Sequence, residues 1–132
     1  MAELTEEEQE NLDFEIGFYQ EVLKNKPDFM EALQALGNAY TARGLYQKGL
    51  EVDMKLVGLR PAEPVAHYNL ACSYSLLKDI EAAFKALTRA IDLGYSDLSH
   101  MAKDPDLENL RQDKRFLNLI IKLRKKSARR SL

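Results

Sequence analysis

The chain has 132 residues, 45% hydrophobic and 30% charged, which fits one modest globular core and makes a soluble globular class the default. Its single cysteine, Cys72, excludes an internal disulfide and a multi-cysteine zinc site. The net charge of −2 conceals a polarity: residues 1–32 hold ten acidic and two basic groups (−8), and residues 114–132 hold eight basic and no acidic ones (+8), which reads first as two solvated helix faces and otherwise as ends suited to mutual contact or head-to-tail association.

Thr5-Glu6-Glu7-Glu8 has the form of a capping box that opens a helix. Leu12, Ile16, Tyr19, Val22 and Leu23 then recur at helical spacing, and Asn25-Lys26-Pro27 ends the run. A second helix is expected from about Pro27 or Asp28 to Ala42, with Phe29, Leu33, Leu36 and Tyr40 inside and Gly44 as its left-handed stop. A third runs from Leu45 to about Leu59 and presents Leu50, Met54, Leu56 and Val57 before Pro61. A fourth covers Pro64 to Leu77, and a fifth runs from the cap Asp79 to Gly94 with Phe84, Leu87 and Ile91 inside. Beyond it, Asp104-Pro105 reads as a helix start and Asp113 as the cap of a last helix carrying Phe116, Leu117, Ile120 and Leu123. The connections are short, so neighbouring helices should pack antiparallel.

A shift of 34 residues superimposes the pattern on itself. It pairs Pro27 with Pro61, Leu36 with Leu70, Gly37 with Ala71, Tyr40 with Tyr74, Gly49 with Ala83 and Leu56 with Ala90. Large residues meet large ones, and the small pairs mark where two helices approach closely. A helix–turn–helix unit of this period, with Leu33, Leu36, Gly37, Tyr40, Gly44, Tyr46, Gly49, Leu56 and Pro61 in the first copy and Leu70, Ala71, Tyr74, Ile80, Ala83, Ala90 and Ile91 in the second, resembles the tetratricopeptide repeat. The resemblance implies an all-α fold of antiparallel repeats in a right-handed superhelix, closed by C-terminal capping helices. The expected organisation is one domain over 1–123 (half-repeat helix 5–26, repeats 28–61 and 62–95, capping segment 96–123) and a frayed basic tail over 124–132. Two positions depart from the family: Asp53 replaces an aromatic residue, with Met54 as the expected compensation, and Tyr95 replaces a proline.

The resemblance also implies a groove that takes a peptide or helix of a partner protein. Its expected lining is Glu31, Gln34, Ala35, Asn38 and Thr41 from one helix, Val65, Tyr68, Asn69, Cys72 and Ser75 from the next, and Lys103. Tyr68 stands out as an aromatic contact with a polar tip. Asn38 and Asn69 align with the asparagines by which some such domains hold a C-terminal carboxylate. Gln34 and Ser99 stand where that clamp has cations, so a polar, mostly uncharged groove is expected.

No catalytic constellation can be assembled. His67 and His100 are far apart in sequence, and no His-Glu-x-x-His, P-loop or Gly-x-Gly-x-x-Gly pattern occurs. His67 reads as a structural histidine, and the acidic residues Asp97, Asp104, Asp106 and Glu108 as helix caps. No metal ligand set or cofactor is expected. The tail from Lys122 to Arg130 lacks the interleaved aromatics of a single-strand nucleic-acid platform. An acidic N-terminus without an apolar core and the absence of a long apolar run lead to a cytoplasmic protein without a membrane span. The expected role is a non-enzymatic interaction scaffold or adaptor. The alternative is a self-associating, homo-oligomeric repeat protein.

Overall fold

The computed structural model describes residues 3–131. The described elements are α1 (Glu6–Asn25), α2 (Met30–Arg43), α3 (Tyr46–Leu59), α4 (Pro64–Leu76), α5 (Ile80–Asp92), α6 (Leu98–Lys103), a 3₁₀ helix (Pro105–Leu110) and α7 (Lys114–Ser131). The chain divides into two compact units, Met1–Leu59 and Arg60–Leu132.

In the first unit the Thr5 hydroxyl accepts the Glu8 amide, and Glu8 returns the bond to the Thr5 amide, each at 3.1 Å. This reciprocal pair satisfies two amides that a bare helix start leaves open. Helix α2 begins at Met30, later than the sequence suggests. Phe29 is extended (φ −69°, ψ 103°) and caps it, while a turn over Pro27 and Asp28 closes from the Phe29 amide to the Lys26 carbonyl at 3.2 Å. Gly44 at φ 86° stops α2, and the Leu45 amide reaches back to the Tyr40 carbonyl at 2.8 Å. The core joins Ile16 of α1, Leu33, Leu36 and Tyr40 of α2, and Val52 and Leu56 of α3. Gln20 donates to the Tyr40 hydroxyl at 2.9 Å, so the polar tip of that buried tyrosine is satisfied.

Glycine carries the α2–α3 contact. A Cβ on Gly49 would lie 3.0 Å from Thr41 Oγ1, and one on Gly37 would lie 3.3 Å from Val52 Cγ1. Met54 does not fill the place left by the missing aromatic. It is 53% exposed, while Val52 and Leu56 point inward and Asp53 itself is buried.

The second unit packs α4 and α5 antiparallel, with Ala71, Ala83 and Ala90 fully or almost fully enclosed between them. Lys78 takes the left-handed conformation (φ 63°) one period after Gly44, and the Asp79 amide reaches the Tyr74 carbonyl at 2.9 Å. The same turn recurs after α5, where Gly94 has φ 116° and the Tyr95 amide meets the Ala90 carbonyl at 2.9 Å. Beyond it the repeat gives way to α6 and the 3₁₀ helix. Six residues are too few to show a period, and this is why α6 was not expected. Asp104 does open a helix before Pro105, but a 3₁₀ one, its carboxylate accepting the Asp106 amide at 3.0 Å. Met101, Leu107, Leu110, Phe116 and Leu123 complete one core with α5. Arg111 ties the segment down by donating to the Ala102 carbonyl at 3.2 Å and the Asp104 carbonyl at 2.6 Å.

Helix α7 continues through the segment expected to be a frayed tail. Lys126 donates to the Ile91 carbonyl at 3.1 Å at the end of α5, an oxygen that also accepts the Gly94 amide at 3.0 Å. Lys122 pairs with Asp92 at 2.7 Å. Arg115 pairs with Glu81 and Asp113 at 2.8 Å each and lies over the Phe84 ring.

Candidate functional site

The second unit contains a cleft of about 480 Å³ between the start of α4, the turn after α5, and α6. Val65, Tyr68 and Asn69 sit three and four residues apart and so share one face of α4. Tyr95, Asp97 and His100 supply the opposite wall. Val65 is 44% exposed and Asn69 is half-buried, whereas Tyr68 is only 3% exposed.

Tyr68 is held on all sides. Its ring stacks on Tyr95 with centroids 4.3 Å apart and planes within 4°. Its hydroxyl donates to Asp104 Oδ2 at 2.6 Å, a short bond to a buried carboxylate. The same oxygen lies 3.2 Å from His100 Nε2 and accepts from the Cys72 thiol at 3.7 Å. Asp104 is therefore a hub joining α4, α6 and the 3₁₀ helix.

This environment sets the protonation states. Burial, with the Cys72 thiol and the Asp104 carboxylate beside it, pushes the Tyr68 phenol far above its ordinary range. Burial, followed by the carboxylates of Asp104 and Asp106, pushes the Cys72 thiol up as well. A nucleophilic cysteine needs the opposite shift. Burial raises Tyr95 to about 12, and burial with Asp104 raises the Asp106 carboxyl. Cys72, Asp104 and Asp106 have ligand atoms within 4.8 Å of one another, the spacing of a cation site. A cation there would displace donors that Asp104 already accepts, from Tyr68 at one oxygen and the Asp106 amide at the other.

The expected groove residues fall into two sets, one in each unit. On α2, Glu31, Gln34 and Asn38 are exposed, and Ala35 and Thr41 are half-buried. The Thr41 hydroxyl is bonded to the Gly37 carbonyl at 3.1 Å. On α4, Val65 and Asn69 line the cleft, but Cys72 is buried and Ser75 is fully buried. The cause is the non-repeating segment. The 3₁₀ helix packs on α4, Asn109 donates to the Ser75 carbonyl at 2.8 Å, and Asp104 covers Cys72. Ser75 Oγ is left without a partner under that cover. Lys103 is exposed at the end of α6. Sequence reasoning missed Tyr95, Asp97 and His100 as cleft walls. The signal was Tyr95 itself, an aromatic residue at a proline position.

His67 is buried, with Nε2 2.8 Å from the Pro61 carbonyl, as a structural histidine should be. Asp97 caps α6 through the His100 amide at 3.0 Å. No helix among the described residues is long and apolar enough to cross a membrane.

Residues 64–93 match the model of the tetratricopeptide repeat. A curated chloroplastic protein of Arabidopsis thaliana is 36% identical over 96 residues, covering 70% of this chain and 27% of that protein. The chain thus spans about a quarter of that relative's length. Among solved structures, a crystal structure of MamA shares 26% identity at a TM-score of 0.70, over 95% of this chain and 74% of that one. A MamA fragment from Desulfovibrio magneticus RS-1, at 19% identity and a TM-score of 0.67, covers 88% of this chain and 68% of its own and shares the fold.

Proposed function

We propose that this chain, which belongs to the tetratricopeptide-repeat family, is a protein-interaction scaffold that takes one side chain of a partner peptide or helix into the α4–α6 cleft. The carrying observation is the exposed Val65 beside the rigid Tyr68–Tyr95 stack. An apolar anchor can bury itself there against side chains that are already ordered, at little further entropy cost. Asn69 offers both a donor and an acceptor to the partner's backbone. The carboxylates of Asp97, Asp104 and Asp106 disfavour an anionic ligand. The preferred partner therefore carries an apolar residue in a neutral or basic context.

The cover over Cys72 and Ser75 shortens the open face of α4 to its first turns, which suits a short element. The groove residues of α2, Glu31, Gln34, Ala35, Asn38 and Thr41, remain candidates for partner contacts made by the first unit on its own. The one thiol, Cys72, is buried and its pKa is pushed up, which disfavours it as a nucleophile. The Arabidopsis relative's name points to a plastid, and composition points to the cytoplasm. A fluorescent fusion in the native cell separates the two.

The test is a displayed peptide library selected on the intact chain, with binders titrated against Val65→Glu and Asn69→Ala. Loss of affinity of about tenfold or more in Val65→Glu is expected. Equal affinity of both variants for every selected peptide would refute the cleft reading. Paired peptides ending in a carboxylate or an amide should bind alike, and a strong preference for the free carboxylate would refute the proposed ligand charge.

A further inference from the structure

Two exposed apolar pairs remain outside the cores and the cleft. Phe14 and Phe18 stand four residues apart on the outer side of α1, 76% and 53% exposed. Leu117 and Ile121 stand four apart on the outer side of α7, 62% and 41% exposed. In each helix the buried residues lie on the opposite side: Ile16 in α1, and Phe116, Leu119 and Leu123 in α7. Each pair therefore forms a short ridge with no cover among the described residues.

The flanks have opposite charge. Glu7, Glu10 and Glu15 border the phenylalanines, and Lys114, Arg124 and Lys125 border Leu117 and Ile121. The basic residues on the inner side of α7 are already paired, Arg115 with Glu81 and Asp113, and Lys122 and Lys126 with Asp92. Lys114, Arg124 and Lys125 make no ion pair among the described residues. Two α1 faces would oppose acid to acid and two α7 faces base to base, so each ridge fits the other kind and not its own.

We propose that the chain associates head to tail with a second copy of itself, the Phe14–Phe18 ridge of one copy crossing the Leu117–Ile121 ridge of the next. Ridges of four-residue spacing interdigitate in the commonest helix-packing geometry. An antiparallel crossing is favoured. The acidic excess precedes the phenylalanines, at Glu6, Glu7, Glu8 and Glu10, and the basic excess follows Ile121, at Arg124, Lys125 and Arg129. That crossing also sets the positive end of one helix dipole beside the negative end of the other. The interface is heterologous, so an open assembly keeps one free ridge of each kind, one at either end, unless it closes into a ring. The inference is independent of the cleft.

The test is the mass of the full-length chain by light scattering and sedimentation, across concentration and salt. The mean mass should rise with concentration at about 50 mM salt. Association should weaken by about tenfold at about 500 mM, as roughly three exposed ion pairs are screened. Two surface variants, Phe14→Ser with Phe18→Ser and Leu117→Ser with Ile121→Ser, should each be folded monomers of 15.1 kDa. Mixed, they should form one-to-one dimers and nothing larger, because each supplies the ridge the other lacks. A wild-type chain monomeric at every concentration would overturn the proposal. So would association of either variant alone, or a mixture that stays monomeric while both variants retain native helicity.

Discussion

The hydroxyl of Tyr68 is the sharpest point at which to perturb the second unit. Tyr68→Phe keeps the ring, its stacking on Tyr95 and its volume, and deletes one atom, the donor 2.6 Å from Asp104 Oδ2. A hydrogen bond to a charged acceptor contributes about 1.5–3 kcal/mol, more than a neutral one, because the carboxylate left behind is buried and loses a donor. Asp104 keeps the Asp106 amide at its other oxygen, so the loss is partial. A value near 2 kcal/mol follows. Two readouts check it. Urea unfolding followed by circular dichroism and tyrosine fluorescence, since the chain has no tryptophan, should lose that amount from the transition of the second unit. Thiol labelling is the more local probe. Cys72 is buried beside the same carboxylate, and a reagent reaches it only when the unit opens. If opening is fast relative to labelling, about 2 kcal/mol corresponds to labelling faster by roughly 30-fold. A double-mutant cycle with Asp104→Asn isolates the bond and should give a coupling of at least about 1 kcal/mol. Labelling within threefold of wild type, with a coupling near zero, would refute the hub at Asp104.

Other expectations follow from the turns and the close approaches. Gly49→Ala should destabilise the first unit by about 1–3 kcal/mol, because its Cβ meets Thr41 Oγ1 at 3.0 Å. Adding Thr41→Ala should recover most of that loss in thermal melts, and an unchanged melting temperature in the single variant would count against the close approach. Lys78→Gly should stabilise the second unit by up to about 1 kcal/mol, since Lys78 holds φ 63° where α2 uses Gly44. A lower denaturation midpoint for that variant would show that the lysine side chain contributes more than its backbone strain costs. Acid should also act through named groups. Hydrogen bonds from Arg115 hold the Asp113 carboxyl at about 2, and the Lys122 hydrogen bond lowers Asp92. Their folded values lie below their unfolded ones, so their contribution is complete above about pH 4 and drains away as pH falls toward 2. Asp106, raised by burial, has the opposite sign: its cost is present at neutral pH and is relieved as pH falls toward 4. Asp106→Asn should therefore melt higher than wild type at pH 7 and converge with it near pH 4, and a constant offset across that range would contradict the assignment.

Much of this architecture is legible in the residues. The prolines and small residues recurring every 34 positions locate the helix pairs, and Thr5 with Glu8 locates the first cap. What escapes is set by contacts between segments distant in sequence. Tyr68 reads as a groove contact because its own helix gives no reason for burial. That reason is Tyr95 and Asp104, which come from the part of the chain that breaks the period. Cys72 and Ser75 are misplaced for the same cause, since the 3₁₀ helix covering them has no counterpart in the preceding unit. Met54 fails as compensation because its own place on α3 faces solvent, and a neighbouring residue on a helix points about 100° away. Phe14 and Phe18 pass unnoticed because a search for buried periodicity does not ask what lies opposite.

Tyr95 also bears on how such a chain can change in length. At the corresponding place one period earlier, Pro61 releases the chain into another helix pair, whereas Tyr95 turns its ring back onto Tyr68 and delivers the chain to Asp97 and α6. Inserting a helix pair after Gly94 would sever that stack and strip Asp104 from Tyr68. Inserting one before Pro61 would leave both untouched. The array is thus open to growth at one seam and locked at the other, and duplications that survive should be found only on the N-terminal side of the lock.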